Sequence, residues 1–274
     1  MFDDIIKQRL EKEKPYLLRK KLTCPMCLGE FRGLGTKTGR IRRVGADIDL
    51  RPINEPVDAL KYSINVCSNC GYHGLGKTFK PLSQGVRGLL KRAQLPKPDI
   101  SGIEEKEYYT YNEALEMCRV ALEFANARQA DASEKAYLEL TMAWLDRGRV
   151  NELESIAKED YENKKKDGDE EAKDPTPLID AIKAQASGQE KAHLKAARDG
   201  FTEAMAKEMP PFVGMDTSTL DFLIAVLSYE VEDYSMALII CSRILTNKGS
   251  SSRLKDKARD LKDLVREAKG DEEE

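Results

Sequence analysis

Histidine is scarce in this sequence, and its scarcity narrows the chemistry that the chain can perform. Only two histidines occur among 274 residues. A nucleophile that pairs cysteine with histidine, or a catalytic metal site rich in histidine, is therefore difficult to build. The acidic residues are spread along predicted helices, and no pair stands out from a solvated background. We therefore expect a protein that is not an enzyme.

Long apolar segments are also missing. No run approaches the roughly 18–20 residues that a membrane-spanning helix needs. Near the amino terminus, Asp3 and Asp4 stand where a signal peptide would carry basic residues. We therefore predict a cytoplasmic protein with no membrane contact. Thiols stay reduced in that compartment, so metal binding is the natural use of paired cysteines there.

Aromatic residues are few and charged residues are many, at 7% and 34% of the chain. This composition is typical of helical-repeat proteins with solvated outer faces. The charge is unevenly distributed. Residues 1–98 carry 20 Lys/Arg and 9 Asp/Glu, a net +11, whereas residues 99–274 carry 25 and 39, a net −14.

The basic first part has three readings. It indicates a nucleic acid or acidic partner, for which Arg40, Arg42 and Arg43 are the best candidates at an exposed basic edge. Alternatively, nearby cations stabilise the dianionic centre that four thiolates in this part of the chain, those of Cys24, Cys27, Cys67 and Cys70, would form around zinc. The two halves of the chain would also attract each other.

Two cysteine pairs with the same spacing are the strongest signal in the sequence. They are Cys24-Pro25-Met26-Cys27 and Cys67-Ser68-Asn69-Cys70. A Cys-x-x-Cys turn brings two sulfurs to one side of a tight loop, and two such turns supply four thiolates to one tetrahedral zinc. We therefore predict structural Zn²⁺ bound by Cys24, Cys27, Cys67 and Cys70. The alternative is two unrelated pairs of buried or disulfide-bonded cysteines.

The surroundings of the two turns carry further expectations. Residues 28–66 form a loop of 39 residues, long enough to require structure of its own. Alternation over 62–66 predicts a strand that ends at the second pair, and Gly71 follows where a positive φ is often needed. His73 lies three residues after Cys70. It is either a ligand or a neighbour of the site, although four cysteines already complete it.

Several motifs around these cysteines resemble a bacterial family that is catalogued only as a domain of unknown function. They are Cys24-Pro25-Met26-Cys27-x3-Phe31, Asp49-Leu50-Arg51-Pro52, Tyr62-x3-Val66-Cys67-x2-Cys70-Gly71-Tyr72 and, more weakly, Ala143-Trp144-Leu145. The resemblance covers most of the chain and is sharpest over 22–72. It implies a zinc ribbon followed by helices similar to tetratricopeptide repeats, and it implies no reaction. His73 departs from the small residue expected there.

Residues 71–78 match the pattern G-x4-G-K-T of a phosphate-binding loop. That chemistry needs a glycine loop between a buried strand and a helix, so that backbone N–H groups, Lys77 and Thr78 reach phosphate and magnesium. Here Gly71 adjoins a predicted zinc ligand, and Pro81 follows closely. We therefore expect no nucleotide.

The organisation of the chain follows from these signals and from helical periodicity. We predict the ribbon with its N-terminal arm over 1–80, a linker over 81–103, a helical body over 104–269 and an acidic, disordered tail over 270–274. The arm reads as a helix or irregular segment over 4–22. Further helices are predicted over 86–95, 111–127, 133–147, 151–161, 178–187, 189–208, 218–231 and 252–268, with Ser133 as an N-cap and a break near Gly188.

A residue pattern that occurs twice supports an internal repeat. Tyr111-x2-Ala114-Leu115-x2-Cys118-x3-Leu122 recurs as Tyr234-x2-Ala237-Leu238-x2-Cys241-x3-Leu245. Small residues at such positions let two helices cross closely, and the two cysteines are expected in the core. The predicted fold is mainly α, with a small four-cysteine zinc ribbon and a tetratricopeptide-like repeat domain. We expect a non-enzymatic adaptor that binds a protein or peptide in a groove. The alternative is a nucleic-acid-associated protein.

Overall fold

The computed structural model describes residues 2–93, 95, 98–169 and 172–273, apart from the side chains of 271–273. Six strands precede most of the helices in this part of the chain. The strands are β1 (Leu17–Thr23), β2 (Glu30–Thr36), β3 (Arg42–Ala46), β4 (Pro52–Glu55), β5 (Ile64–Val66) and β6 (His73–Leu75). The helices are α1 (Asp3–Glu13), α2 (Gln84–Arg92), α3 (Tyr111–Ala127), α4 (Ala132–Lys166), α5 (Thr176–Lys207), α6 (Thr217–Glu230), α7 (Tyr234–Thr246) and α8 (Ser252–Glu273). The predicted class, mainly α with a small strand-bearing four-cysteine region, is confirmed.

The ribbon consists of three antiparallel hairpins, β1–β2, β3–β4 and β5–β6. The prediction of one arm over 4–22 is only half right, because the helix ends at Glu13 and β1 begins at Leu17. The strand cannot be predicted from the sequence of β1, because this segment contains three consecutive basic residues and its apolar and polar residues do not alternate. Pairing with β2 fixes it instead, for example Leu22 with Phe31.

The helices of the helical body pack as sequence neighbours, each of α3 to α8 against the next. Helix α3 has the predicted bounds, and it begins with a capping box in which the Thr110 side chain accepts from the Glu113 N–H. The predicted breaks are wrong. Helix α4 continues through 148–150, and α5 continues through Gly188. Packing between these two long helices outweighs the modest cost of an interior glycine.

The start of α4 also differs from its prediction. Asp131, not Ser133, precedes the first helical residue. Ser133 is buried within the first turn, and its N–H donates to the Glu208 carboxylate at 3.1 Å. A carboxylate from the end of α5 thus satisfies a free N–H at the start of α4.

The repeated positions of α3 and α7 lie in the core, as predicted. Ala114 and Ala237 are 1% and 0% exposed, and Cys118 and Cys241 are fully buried. Another close helix crossing involves Gly200, because a Cβ on this residue would lie 2.9 Å from that of Ala136 in α4. Small residues therefore set the spacing of the helices.

One hydrophobic core joins the ribbon to the helical body. It contains ribbon residues such as Leu17, Ile64 and Leu75 together with Tyr111 and Trp144 from α3 and α4. The described helices include none that is long and apolar enough to cross a bilayer. The predicted acidic tail over 270–274 overlaps the last turn of α8, and Glu274 lies outside the described residues.

Candidate metal centre

Four thiols converge where the two cysteine turns meet. All sulfurs of Cys24, Cys27, Cys67 and Cys70 lie within 4.8 Å of one another. Two contacts join the turns, at 3.6 Å between the sulfurs of Cys24 and Cys70 and 3.8 Å between those of Cys27 and Cys67. A tetrahedron with Zn–S bonds of ~2.3 Å has sulfur–sulfur edges of about 3.8 Å. The cluster therefore fits one tetrahedral metal ion.

The two turns have the same backbone hydrogen bonds, so that one nearly repeats the other. The N–H of Leu28 donates to the Cys24 carbonyl at 3.0 Å, and the N–H of Gly71 donates to the Cys67 carbonyl at 2.9 Å. Both donors have positive φ, 64° for Leu28 and 73° for Gly71. The positive φ expected at Gly71 is confirmed. The leucine was missed because non-glycine residues rarely adopt this conformation.

Each pair contributes one buried and one exposed cysteine. Cys24 and Cys67 are fully buried, whereas Cys27 and Cys70 are exposed. The Cys70 thiol and the N–H groups of Cys27 and Met26 lower the pKa of Cys24 to about 5. Burial raises the pKa of Cys67 to about 11. The hydrogen bond with the Cys24 sulfur raises the pKa of Cys70. The site thus favours one thiolate, and a bound cation would favour ionisation of the others.

His73 lies beside the cluster without joining it. Its Nδ1 is 2.9 Å from the Gly71 carbonyl, and its ring stacks on Phe124 in α3. Burial lowers the pKa of its imidazole. The histidine therefore packs the second turn against α3 and is outside the group of four sulfurs.

A buried polar network attaches the ribbon to α4, and sequence reasoning did not find it. Asp49 accepts from the Trp144 indole N–H at 2.9 Å and pairs with Arg147 at 3.0 Å. The Arg51 guanidinium donates to the Trp144 carbonyl at 3.2 Å and to Asp58 at 3.0 Å. The motif residues Asp49, Arg51 and Trp144 had been identified as separate parts of a resemblance. All three take part in one contact between the ribbon and α4. Their presence in the same resemblance was the signal that could have predicted this contact.

The residues of the G-x4-G-K-T match hold the ribbon against α4. Lys77 donates to the Tyr137 hydroxyl at 2.7 Å, and Thr78 donates to Glu134 at 2.6 Å. Gly76–Thr78 forms a 3₁₀ turn after β6, which pairs antiparallel with β5. These residues therefore lack the strand–loop–helix arrangement of a phosphate-binding loop.

The candidate arginines lie at the β3–β4 hairpin. Arg40, Arg42 and Arg43 are exposed, and none pairs with an acidic side chain in the described part of the chain. Val44 and Ile53 are exposed apolar residues on the same hairpin. The three arginines thus lie on one exposed hairpin, which stands between the two cysteine turns in the sequence.

His193 lies in the helical body, away from any sulfur cluster. Its side chain is only 30% accessible, and its Nδ1 is 2.6 Å from Glu139. The sequence placed it correctly on a charged helix, α5. It could not show that a facing carboxylate on α4 would cover the ring.

Comparison with known families identifies the chain. Residues 17–265 match the profile of a family described as "Uncharacterized protein conserved in bacteria (DUF2225)". No curated protein and no solved structure matches the chain. The match covers both the cysteine turns and the helical body, and it confirms the resemblance seen in the motifs. The chain therefore belongs to this bacterial family.

Proposed function

We propose that this protein is a non-enzymatic binding protein, in which a structural zinc ion maintains the ribbon and a groove holds a protein or peptide. The observation that carries this proposal is a cavity of about 650 Å³ at the junction of ribbon and helical body. We call it the junction groove. It lies between β5–β6, α3 and the segment 98–109.

The donor set favours zinc. Four thiolates with a tetrahedral arrangement are typical of structural zinc sites, which leave no coordination position open for a substrate. The closed geometry therefore favours a role in folding rather than in catalysis.

Elemental analysis of protein purified without added metal tests the zinc. We expect one equivalent per chain and its loss in Cys24→Ser/Cys67→Ser. The matched control is Cys118→Ser/Cys241→Ser, which alters two buried cysteines outside the cluster and should retain the metal. Less than about half an equivalent in the wild type, or full retention without Cys24 and Cys67, contradicts this part of the proposal.

The placement of the charged side chains supports a non-enzymatic role. Asp49 and Arg147 are committed to the contact between ribbon and α4. Glu134 is held by Thr78 and Arg128. Cys118 is fully buried, and burial raises the pKa of its thiol above the ordinary value. It is therefore a poor nucleophile.

Site-specific photo-crosslinking tests the binding function. A photoreactive amino acid at Ser101, which lines the junction groove, should give discrete adducts in a bacterial lysate. The control places the same amino acid at Arg253, an exposed residue of α8. We expect the groove adducts to be absent from the control. Equal adducts at both positions, or none at Ser101, would remove the support for a groove-binding function.

Nucleic-acid binding is a second candidate, because the arginines of the β3–β4 hairpin are exposed and have no acidic partner among the described residues. Arg42→Glu/Arg43→Glu should then abolish a salt-dependent mobility shift with RNA or DNA. Arg259→Glu/Arg266→Glu reverses two exposed arginines of α8 and serves as the matched control. If the wild-type protein shifts neither RNA nor DNA at low salt, this result argues against nucleic-acid binding.

A further inference from the structure

We infer that the junction groove binds a short basic peptide segment that inserts one apolar side chain. The inference rests on the proposed function and deepens it, since it specifies the chemistry of the occupant. It follows from the floor of the groove, from one hydrogen-bonding group and from the charges around the rim.

The floor of the groove is largely apolar. It consists of side chains that are each more than nine-tenths buried, contributed by two strands, α3 and the preceding segment: Val66, His73, Tyr109, Met117 and Val120. The strand residues are register partners, because Val66 pairs with His73. A buried floor of this kind suits one aliphatic or aromatic side chain, which would leave water on entry.

His73 provides a polar group within this floor. Its Nδ1 lies 2.9 Å from the Gly71 carbonyl, an acceptor, so that Nδ1 carries the proton of the neutral ring. The remaining nitrogen, Nε2, is then an acceptor. A peptide backbone N–H that reaches Nε2 would supply the donor for this acceptor.

Among the described residues, the rim of the groove carries more acid than base. Its charged residues are Asp99, Glu113, Glu116 and Glu123 against Lys106 and Arg119. Arg119 is shared between Glu116 and Glu123, and Lys106 pairs with Glu113. Both cations are thus already paired. The Arg19 guanidinium donates to the carbonyls of Ile103 and Lys106 nearby, and the excess charge is still negative. Electrostatic complementarity therefore selects a basic segment over an acidic one.

Selection from a displayed library of random peptides tests the inference on the full-length, zinc-loaded protein. We expect the enriched peptides to combine Lys or Arg with one large apolar residue. Replacement of that apolar residue by Ala should weaken binding about tenfold or more, as measured by fluorescence anisotropy.

Variants then locate the binding. Glu116→Gln/Glu123→Gln removes two rim charges and should weaken the enriched peptides about tenfold. Asp256→Asn/Asp263→Asn is the matched control, because these acids also form exposed helical ion pairs, on α8. It should leave affinity unchanged. Zinc content and circular dichroism check that each variant is folded.

Each result decides the inference. Enrichment of acidic peptides, no enrichment at all, or equal weakening by the α8 control overturns it. The proposed function is judged separately by the crosslinks at Ser101. Crosslinks without a basic preference leave the binding function standing and refute only the basic occupant, whereas absent crosslinks refute the function itself.

Discussion

Asp49 accepts a 2.9 Å hydrogen bond from the indole of Trp144, which lies 95 residues further along the chain. Both residues are almost completely buried. Arg147 adds an ion pair to the same carboxylate oxygen. The backbone N–H of Arg51 donates to the other oxygen at 3.2 Å. The ribbon and the helical body thus share a polar contact inside their common core. A carboxylate at this depth depends on all of these donors.

The first prediction concerns this indole. Trp144→Phe removes a donor from a buried carboxylate, so it should lower the free energy of unfolding by ~1–3 kcal/mol. Urea denaturation measures the change. In an Asp49→Ala background the same substitution should cost less, because the acceptor is gone. An equal cost in both backgrounds would show that packing, and not the hydrogen bond, determines the effect.

This contact marks the boundary of what the sequence could predict. The cysteine turns are local, since four residues with fixed spacing determine each one, and both were predicted from the chain. The pairing of Asp49 with Trp144 is not local. Periodicity and spacing report on neighbours in sequence, whereas this contact depends on how the ribbon packs against α4. The motifs were visible, but their relationship was not.

The second prediction compares two helical glycines. A Cβ on Gly148 would lie 2.6 Å from a ring carbon of Tyr111 and 2.9 Å from the Arg51 guanidinium. Gly148→Ala should therefore displace both groups from Asp58, which each contacts at about 3 Å. We expect the variant to lose ~1–3 kcal/mol of stability in urea denaturation.

Gly188 provides the control, because, beyond its own stretch of helix, no atom of the described residues lies within 4 Å of the Cβ that it would gain. Gly188→Ala should stabilise the protein by up to ~1 kcal/mol, since alanine favours the helix. Equal effects of the two substitutions would contradict the close approach at Gly148. The pair also explains why a break near Gly188 was predicted wrongly. Glycine has the same local propensity at both positions, and only tertiary packing distinguishes them.

The third prediction is a pH dependence in the helical body. The hydrogen bond to Glu139 raises the pKa of His193 above its ordinary value near 6.5, and the charge of Asp146 acts in the same direction. A raised pKa means that the protonated ring stabilises the folded state. This contribution is complete below the unfolded pKa and is lost as pH rises through the folded pKa.

Urea midpoints of the wild type and His193→Gln, compared across pH, measure this contribution. The wild type should have its largest advantage below about pH 6.5, and the advantage should fall as the pH rises. Comparison with the variant cancels the opposite contribution of His73, whose pKa burial lowers. In a Glu139→Gln background the pH dependence should shrink. A constant difference between wild type and His193→Gln would refute the ion pair.

The last prediction concerns the two alanines that the repeated residue pattern identified. Ala114 and Ala237 are buried in α3 and α7, so that a larger side chain at either position would have to displace its neighbours. Ala114→Leu or Ala237→Leu should overpack the crossing and cost ~1–3 kcal/mol of unfolding free energy. Ala184→Leu is the matched control, because Ala184 is exposed on α5, and its effect should stay within about 0.5 kcal/mol.

Zinc content distinguishes local overpacking from general misfolding. Backbone hydrogen bonds within each cysteine turn hold the four thiols, so both alanine variants should retain a full equivalent of metal. Adducts from the photoreactive residue at Ser101 should weaken in Ala114→Leu, because α3 forms one wall of the junction groove. They should persist in Ala237→Leu, because α7 contributes no lining residue. Equal loss of adducts in both variants would mean that overpacking disturbs the whole helical body and that binding is not confined to the groove.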